Sequence, residues 1–197
     1  MQLSWQWLDA GAVNGDAAIL VVDLPRRPKR SEQIAVSEEL TQRLFRSRDV
    51  QSDKADLGRT IYGRPQLRCR RGAGFSYSIA HTDHISVGVI RSNIVGIDIE
   101  ALHRRLHVKP ARLIQRMFRT EQEASICLQN HRLIEAWTAK EAVLKASGYG
   151  LTIGMQNVRL TSDYGGAYLL GQSYTLRRFI YRQFIIVVAM QSDSTHD

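Results

Sequence analysis

Short runs rich in Val, Ile and aromatic residues, at 17–23, 75–80, 84–90, 94–100, 157–161, 168–176 and 184–190, predict β-strands. The runs AAILVV and FIIVVAM are apolar without alternation, the pattern of strands covered on both faces. Both fall far below the ~20 residues that a membrane helix needs. Helical spacing fills the intervals. Ser31 is placed to cap a helix reaching Arg46, and Thr120 with Glu123 forms a capping pair for a helix through Leu128. Pro110 suits the first position of a helix over 111–118, because its missing N–H is not needed there. A further helix over 133–147 stops at Gly148. The polar, aperiodic stretches RRPKR (26–30) and 46–59 are expected to be loops.

A chain of 197 residues, 44% of them hydrophobic, predicts a globular protein with a sizeable core, each half holding a long helical region and several strands. A net charge of +8 calls for an acidic partner: nucleic acid, a polyphosphate ligand or an acidic protein surface. The cysteines, Cys69 and Cys127, have neither metal-ligand nor redox spacing, and so few of them point to a reducing compartment. The start MQLSWQWLDAG lacks the basic and apolar regions of a signal peptide, so a cytoplasmic location is expected.

The segment VGIDIE (95–100) carries the strongest chemical signal. Alternation on a strand sends Asp98 and Glu100 to one face, while Ile97 and Ile99 enter a core. Adjacent carboxylates repel, and a hard divalent cation such as magnesium relieves them, being held by one or two carboxylates plus substrate phosphates. In WTAKEAVLK, Trp137, Glu141 and Lys145 recur every four residues and share a helix face, with Lys140 beside them. Taken singly, each feature also has an ordinary reading: solvated strand acids, an exposed Glu-Lys pair, a core tryptophan. YSIAHT ends a strand on His81 and Thr82. His84 nearby raises transition-metal binding, but further ligands at suitable spacing are missing. GRPQL (63–67) reads in isolation as a surface turn.

In this order, the stretches Gly63-Arg64-Pro65, Ser78-Ile79-Ala80-His81-Thr82, Gly96-Ile97-Asp98-Ile99-Glu100 and Trp137-Thr138-Ala139-Lys140-Glu141 through Lys145 resemble the signatures of the 4'-phosphopantetheinyl transferase superfamily. The resemblance is to its monomeric group of the surfactin-synthetase-activating type, and FRTEQEA (118–124) is similar to the start of a family helix, with Glu121 as its acid. Ser78 stands where the family has Asn, Ala80 where it has Ser, and Arg64 where it has Lys. Glu38 and Glu39 stand where relatives have basic residues, a role that RRPKR could assume.

The resemblance implies an α+β fold of two similar α/β subdomains, 1–92 and 93–197, forming a pseudodimer with the active site in the cleft between them. It implies that the phosphopantetheine group passes from coenzyme A to a serine of an apo carrier protein, releasing adenosine 3',5'-bisphosphate. Asp98 and Glu100 would hold magnesium. Glu141 would either complete the metal shell or accept the serine proton, and Lys145 would act beside it. Arg64, His81, Thr82, Lys140 and Lys145 would bind coenzyme A phosphates. The expected partner is an acidic apo carrier protein met by a monomer, with no nucleic acid and no membrane involved. Two alternatives remain at this point: another magnesium-dependent phosphate enzyme such as a nuclease, and a noncatalytic carrier-binding relative.

Overall fold

The computed structural model describes residues 3–8, 17–48, 50, 57–59, 65–67, 75–104, 110–129 and 132–192. In chain order these form β1 (Ser4–Leu8), β2 (Ala18–Asp23), α1 (Arg30–Arg46), β3 (Leu57–Arg59), β4 (Pro65–Leu67), β5 (Ser76–His81), β6 (Ile85–Arg91) and β7 (Val95–Ala101). There follow α2 (Pro110–Met117), α3 (Glu121–Gln129), α4 (Leu133–Ser147), β8 (Arg159–Leu160), β9 (Gly166–Leu169), β10 (Gln172–Tyr181) and β11 (Phe184–Gln191). The mixture of helices and antiparallel sheets is the α+β class that the resemblance implies.

One sheet has the order β1-β2-β6-β5 and a second the order β7-β11-β10-β9-β8, while β3 and β4 pair as a separate ribbon. The two larger sheets pack face to face. Ile19, Val21, Val87 and Val89 of the first meet Ile97, Ile99, Ile186 and Val188 of the second in one core. Helix α1 covers the outer face of the first sheet, placing Leu40, Leu44 and Phe45 against Leu20, Tyr77 and Ile90. Helix α4 covers the outer face of the second, packing Ala139, Ala142 and Val143 over Ile185, Val187 and Ala189. Central strands are thus covered on both sides, which explains the uninterrupted apolar runs at β2 and β11.

Several local expectations change. Helix α1 begins one residue before Ser31, after Lys29, and its first turn is closed by Glu32, whose carboxylate accepts the Lys29 N–H at 2.8 Å and pairs with Arg26. The run 168–176 is two strands, split at Leu170 and Gly171, whose φ angles of 49° and 78° build a two-residue hairpin turn. Leu-Gly lacks the Asn or Asp that announces such a turn, so the apolar run conceals it. Strand β1 was not expected; Trp5 packs under α1, with the Arg43 guanidinium 4.3 Å over its ring. The expected loop at 46–59 contains β3. Gly63, Arg64 and Cys69 lie outside the described residues.

Candidate active site

Helix α4 runs across β7 at a distance set by glycine. A Cβ at Gly96 would overlap the Ala142 carbonyl oxygen and the Ala146 amide nitrogen, so the two backbones touch there. Alanines at 139, 142 and 146 make this approach possible, and Gly148, with φ of 80°, ends the helix. Strand alternation then aims Asp98 and Glu100 at the helix face carrying Trp137, Glu141 and Lys145.

The resulting contacts are specific. Lys145 Nζ donates to Asp98 Oδ1 at 2.7 Å, and Trp137 Nε1 donates to Glu100 Oε1 at 3.1 Å. Arg104, just past the strand, also pairs with Glu100. Asp98 is buried, and its Oδ2 has no hydrogen-bond partner. Burial pushes the Asp98 carboxyl up against the opposing pull of Lys145. Glu100 is raised by burial and by Asp98, with Arg104 opposing. Glu141 is pushed up to about 7 by burial first and then by Asp98, with Glu100 adding to the effect. Three carboxylates therefore share one electrostatic environment, with Lys145 and Arg104 as counter-charges.

A carboxyl raised from 4.5 to about 7 favours the fold fully below 4.5, and this contribution is lost as pH rises through 7. Without added divalent cation, Glu141→Gln should raise the melting temperature at pH 8 by several degrees, from at most about 3 kcal/mol. The gain should shrink towards nothing as pH falls to 4.5. Thermal melts across that range check it, and an equal shift at both ends would contradict the raised carboxyl.

His81 reaches this cluster from the first sheet. Partial burial and the nearby Lys145 ammonium push its imidazole below the ordinary value, with Asp98 opposing. Thr82 lies in the turn after β5, where its hydroxyl accepts the Ile85 N–H at 3.1 Å and the His84 N–H at 3.3 Å. Arg64 lies outside the described residues.

Lys140 is not brought to the cluster. One residue of helix rotates a side chain by about 100°, so Lys140 leaves the face shared by Glu141 and Lys145. Its ammonium is buried, donates to the carbonyls of Met155 and Val158, and lies 4.8 Å from the Phe118 ring centre. Burial pulls its pKa down to about 8. Lys140 thus fastens α4 to 155–158 and to Phe118 at the end of α2, on a different side of the helix from the acid cluster. Lys140→Met, which keeps the stem and removes the donor, should cost about 1–3 kcal/mol of stability through the two carbonyls left unpaired. Coenzyme A affinity of the folded variant, read by calorimetry, should stay within about threefold of wild type. A tenfold loss would restore Lys140 as a phosphate ligand.

The sequence placed Trp137 on the face of Glu141 and Lys145 without giving it a role in the site, and did not single out Arg104. The tryptophan signal was its four-residue spacing from Glu141; Arg104 gave none, since its approach to Glu100 depends on the turn after β7, where the Arg104 N–H meets the Ala101 carbonyl.

Residues 94–189, which hold both the strand acids and helix α4, match the family model of the 4'-phosphopantetheinyl transferase superfamily. This segment of the chain is therefore similar to that superfamily. Among relatives, it is 30% identical over 128 residues to the 4'-phosphopantetheinyl transferase ffp of Bacillus subtilis, covering 59% of this chain and 54% of that protein. It is 37% identical over 83 residues to a holo-[acyl-carrier-protein] synthase of Moorella thermoacetica, covering 40% of this chain and 63% of the relative. The chain thus spans between about half and two thirds of the length of these superfamily relatives. No helix among the described residues is long and apolar enough to cross a membrane.

Proposed function

We propose that this chain transfers the 4'-phosphopantetheine group from coenzyme A to a serine of an apo carrier protein, releasing adenosine 3',5'-bisphosphate. The observation that carries the reading is the meeting of Asp98, Glu100, Glu141 and Lys145, inside the segment that matches the superfamily, with His81 from the other sheet. The chain would be built as two subdomains, 1–92 and 93–197, with coenzyme A between them. It would act in the cytoplasm as a monomer of the surfactin-synthetase-activating type. Its charge of +8 would favour a carrier that is acidic around the serine.

Among the described residues, no three His, Cys, Asp or Glu side chains are gathered closely enough to cage a metal. The donor chemistry nonetheless fits magnesium: hard carboxylate oxygens, an unpartnered buried Oδ2 on Asp98, and a Glu141 raised by burial and then by its acidic neighbours. Asp98 and Glu100 would hold the ion, with Glu141 in reach of it. When bound, magnesium would neutralise charge on the diphosphate oxygens.

Phosphoryl transfer depends on placement and charge more than on covalent help from the protein. Lys145, fixed against Asp98, would present its ammonium to the diphosphate, and His81 would contact phosphate from across the cleft. The serine oxygen would bond to the β-phosphorus as the bond to the adenosine bisphosphate oxygen breaks. Glu141 would take the serine proton, directly or through water.

The test incubates the chain with coenzyme A, magnesium and a panel of apo carrier proteins, weighing each carrier by mass spectrometry. A carrier gaining the phosphopantetheine mass supports the reading. Binding of coenzyme A without any mass gain would leave a noncatalytic relative. A melting temperature raised by DNA and not by coenzyme A with magnesium would favour a nuclease.

A further inference from the structure

The two large sheets meet at their edges as well as their faces. Strand β5 closes one sheet and β7 closes the other, and the two edge strands lie side by side. They do not form a backbone ladder. Instead, Ser76 Oγ accepts the Val95 N–H at 3.3 Å, and Ser78 Oγ accepts the Ile97 N–H at 3.2 Å. Both bonds span 19 residues of sequence, so they are successive rungs of one parallel register. Ser78, Val95 and Ile97 are buried, leaving water no access to the amide that Ser78 satisfies.

We infer that Ser78 is a positioning residue, whose hydroxyl sets the register at which His81 meets the Asp98–Lys145 pair. The same offset continued along both strands brings Ala80 level with Ile99 and His81 level with Glu100. At that level His81 lies near enough to Lys145 and Asp98 to feel their charges. A strand advances about 3.3 Å per residue, so a slip of one rung would carry His81 past the acids by roughly 6.6 Å. A slip of one rung moves the strand by two residues and so leaves every side chain on its own face, which removes the face-swapping penalty that forbids a one-residue slip. The hydroxyl-to-amide bonds are directional and select one register. The inference rests on the proposed function only in what the register serves; the rungs themselves are independent of it.

The experiment compares Ser78→Ala, Ser78→Thr and Val36→Ala, the last a cavity in the α1 core, remote from the edge contact. Hydrogen exchange of the Ile97 amide reads the rung directly. It should accelerate at least about tenfold in Ser78→Ala and stay near wild type in Ser78→Thr, which keeps the hydroxyl, and in Val36→Ala. Under conditions where all variants are folded, KM for coenzyme A should rise about tenfold in Ser78→Ala with a smaller change in kcat, and Ser78→Thr should restore it. Unchanged Ile97 exchange in Ser78→Ala, or a KM in that variant no different from Val36→Ala, overturns the inference. A wild-type chain that neither binds coenzyme A nor modifies a carrier refutes the proposed function instead, while the exchange measurement still decides whether the rung exists.

Discussion

Replacing Asp98 with asparagine is expected to lower carrier modification by at least about a hundredfold while the protein stays folded. The carboxylate makes the short contact with Lys145, has an unpartnered Oδ2, and lies on the strand face opposite Glu141. As the central hard-oxygen donor of the proposed magnesium site, it has no substitute on β7 except Glu100, which Arg104 and Trp137 already engage. Stability should move little. Burial makes the ionised Asp98 costly in the fold, so an uncharged amide recovers what the lost ion pair contributed. Added magnesium should restore only part of the rate. Mass spectrometry of the carrier at limiting magnesium, with a thermal melt of the same sample, reads both quantities. Near wild-type turnover would remove Asp98 from the site, and outright unfolding would make it a structural residue.

A single methyl group at position 96 should be more damaging to the fold than most core truncations. In Gly96→Ala the new Cβ meets the backbone of α4 at Ala142 and Ala146, which cannot turn aside as a side chain can. Overpacking typically costs about 1–3 kcal/mol, and a backbone obstacle on a helix buried along its length belongs at or above the upper end. The melting temperature should fall by roughly 5–10 °C. Gly88 is the matched comparison, since a Cβ there meets only the flexible ends of Leu40 and Leu44. Gly88→Ala should lose clearly less. Because α4 carries Glu141 and Lys145, whatever population of Gly96→Ala remains folded should also bind coenzyme A poorly, the helix having been lifted off β7. Equal melting temperatures for the two variants would show that the close approach at Gly96 relaxes without cost.

Much of this site is legible in the sequence because periodicity is local. A period of two places Asp98 and Glu100 together, and a period of 3.6 places Trp137, Glu141 and Lys145 together. The boundaries of α4 follow from its apolar spacing and Gly148, and the buried strands announce themselves as unbroken Val and Ile runs. The likeness to the superfamily lies in the same segments.

Tertiary structure decided what periodicity leaves open. Lys140 and Glu141 are adjacent in sequence, yet the surroundings of each face send one ammonium to the carbonyls of 155 and 158 and one carboxyl to the acids. The hydroxyl of Thr82 caps its own turn, a contact set by the hairpin geometry. Arg104 reaches Glu100, and Ser76 and Ser78 reach the edge of β7, through contacts that no repeat in the sequence encodes. Sequence determines which side chains share a face of an element, because that depends on backbone geometry alone. Which faces meet, how closely and in what register depends on the packing of elements far apart along the chain, and only the folded molecule specifies it.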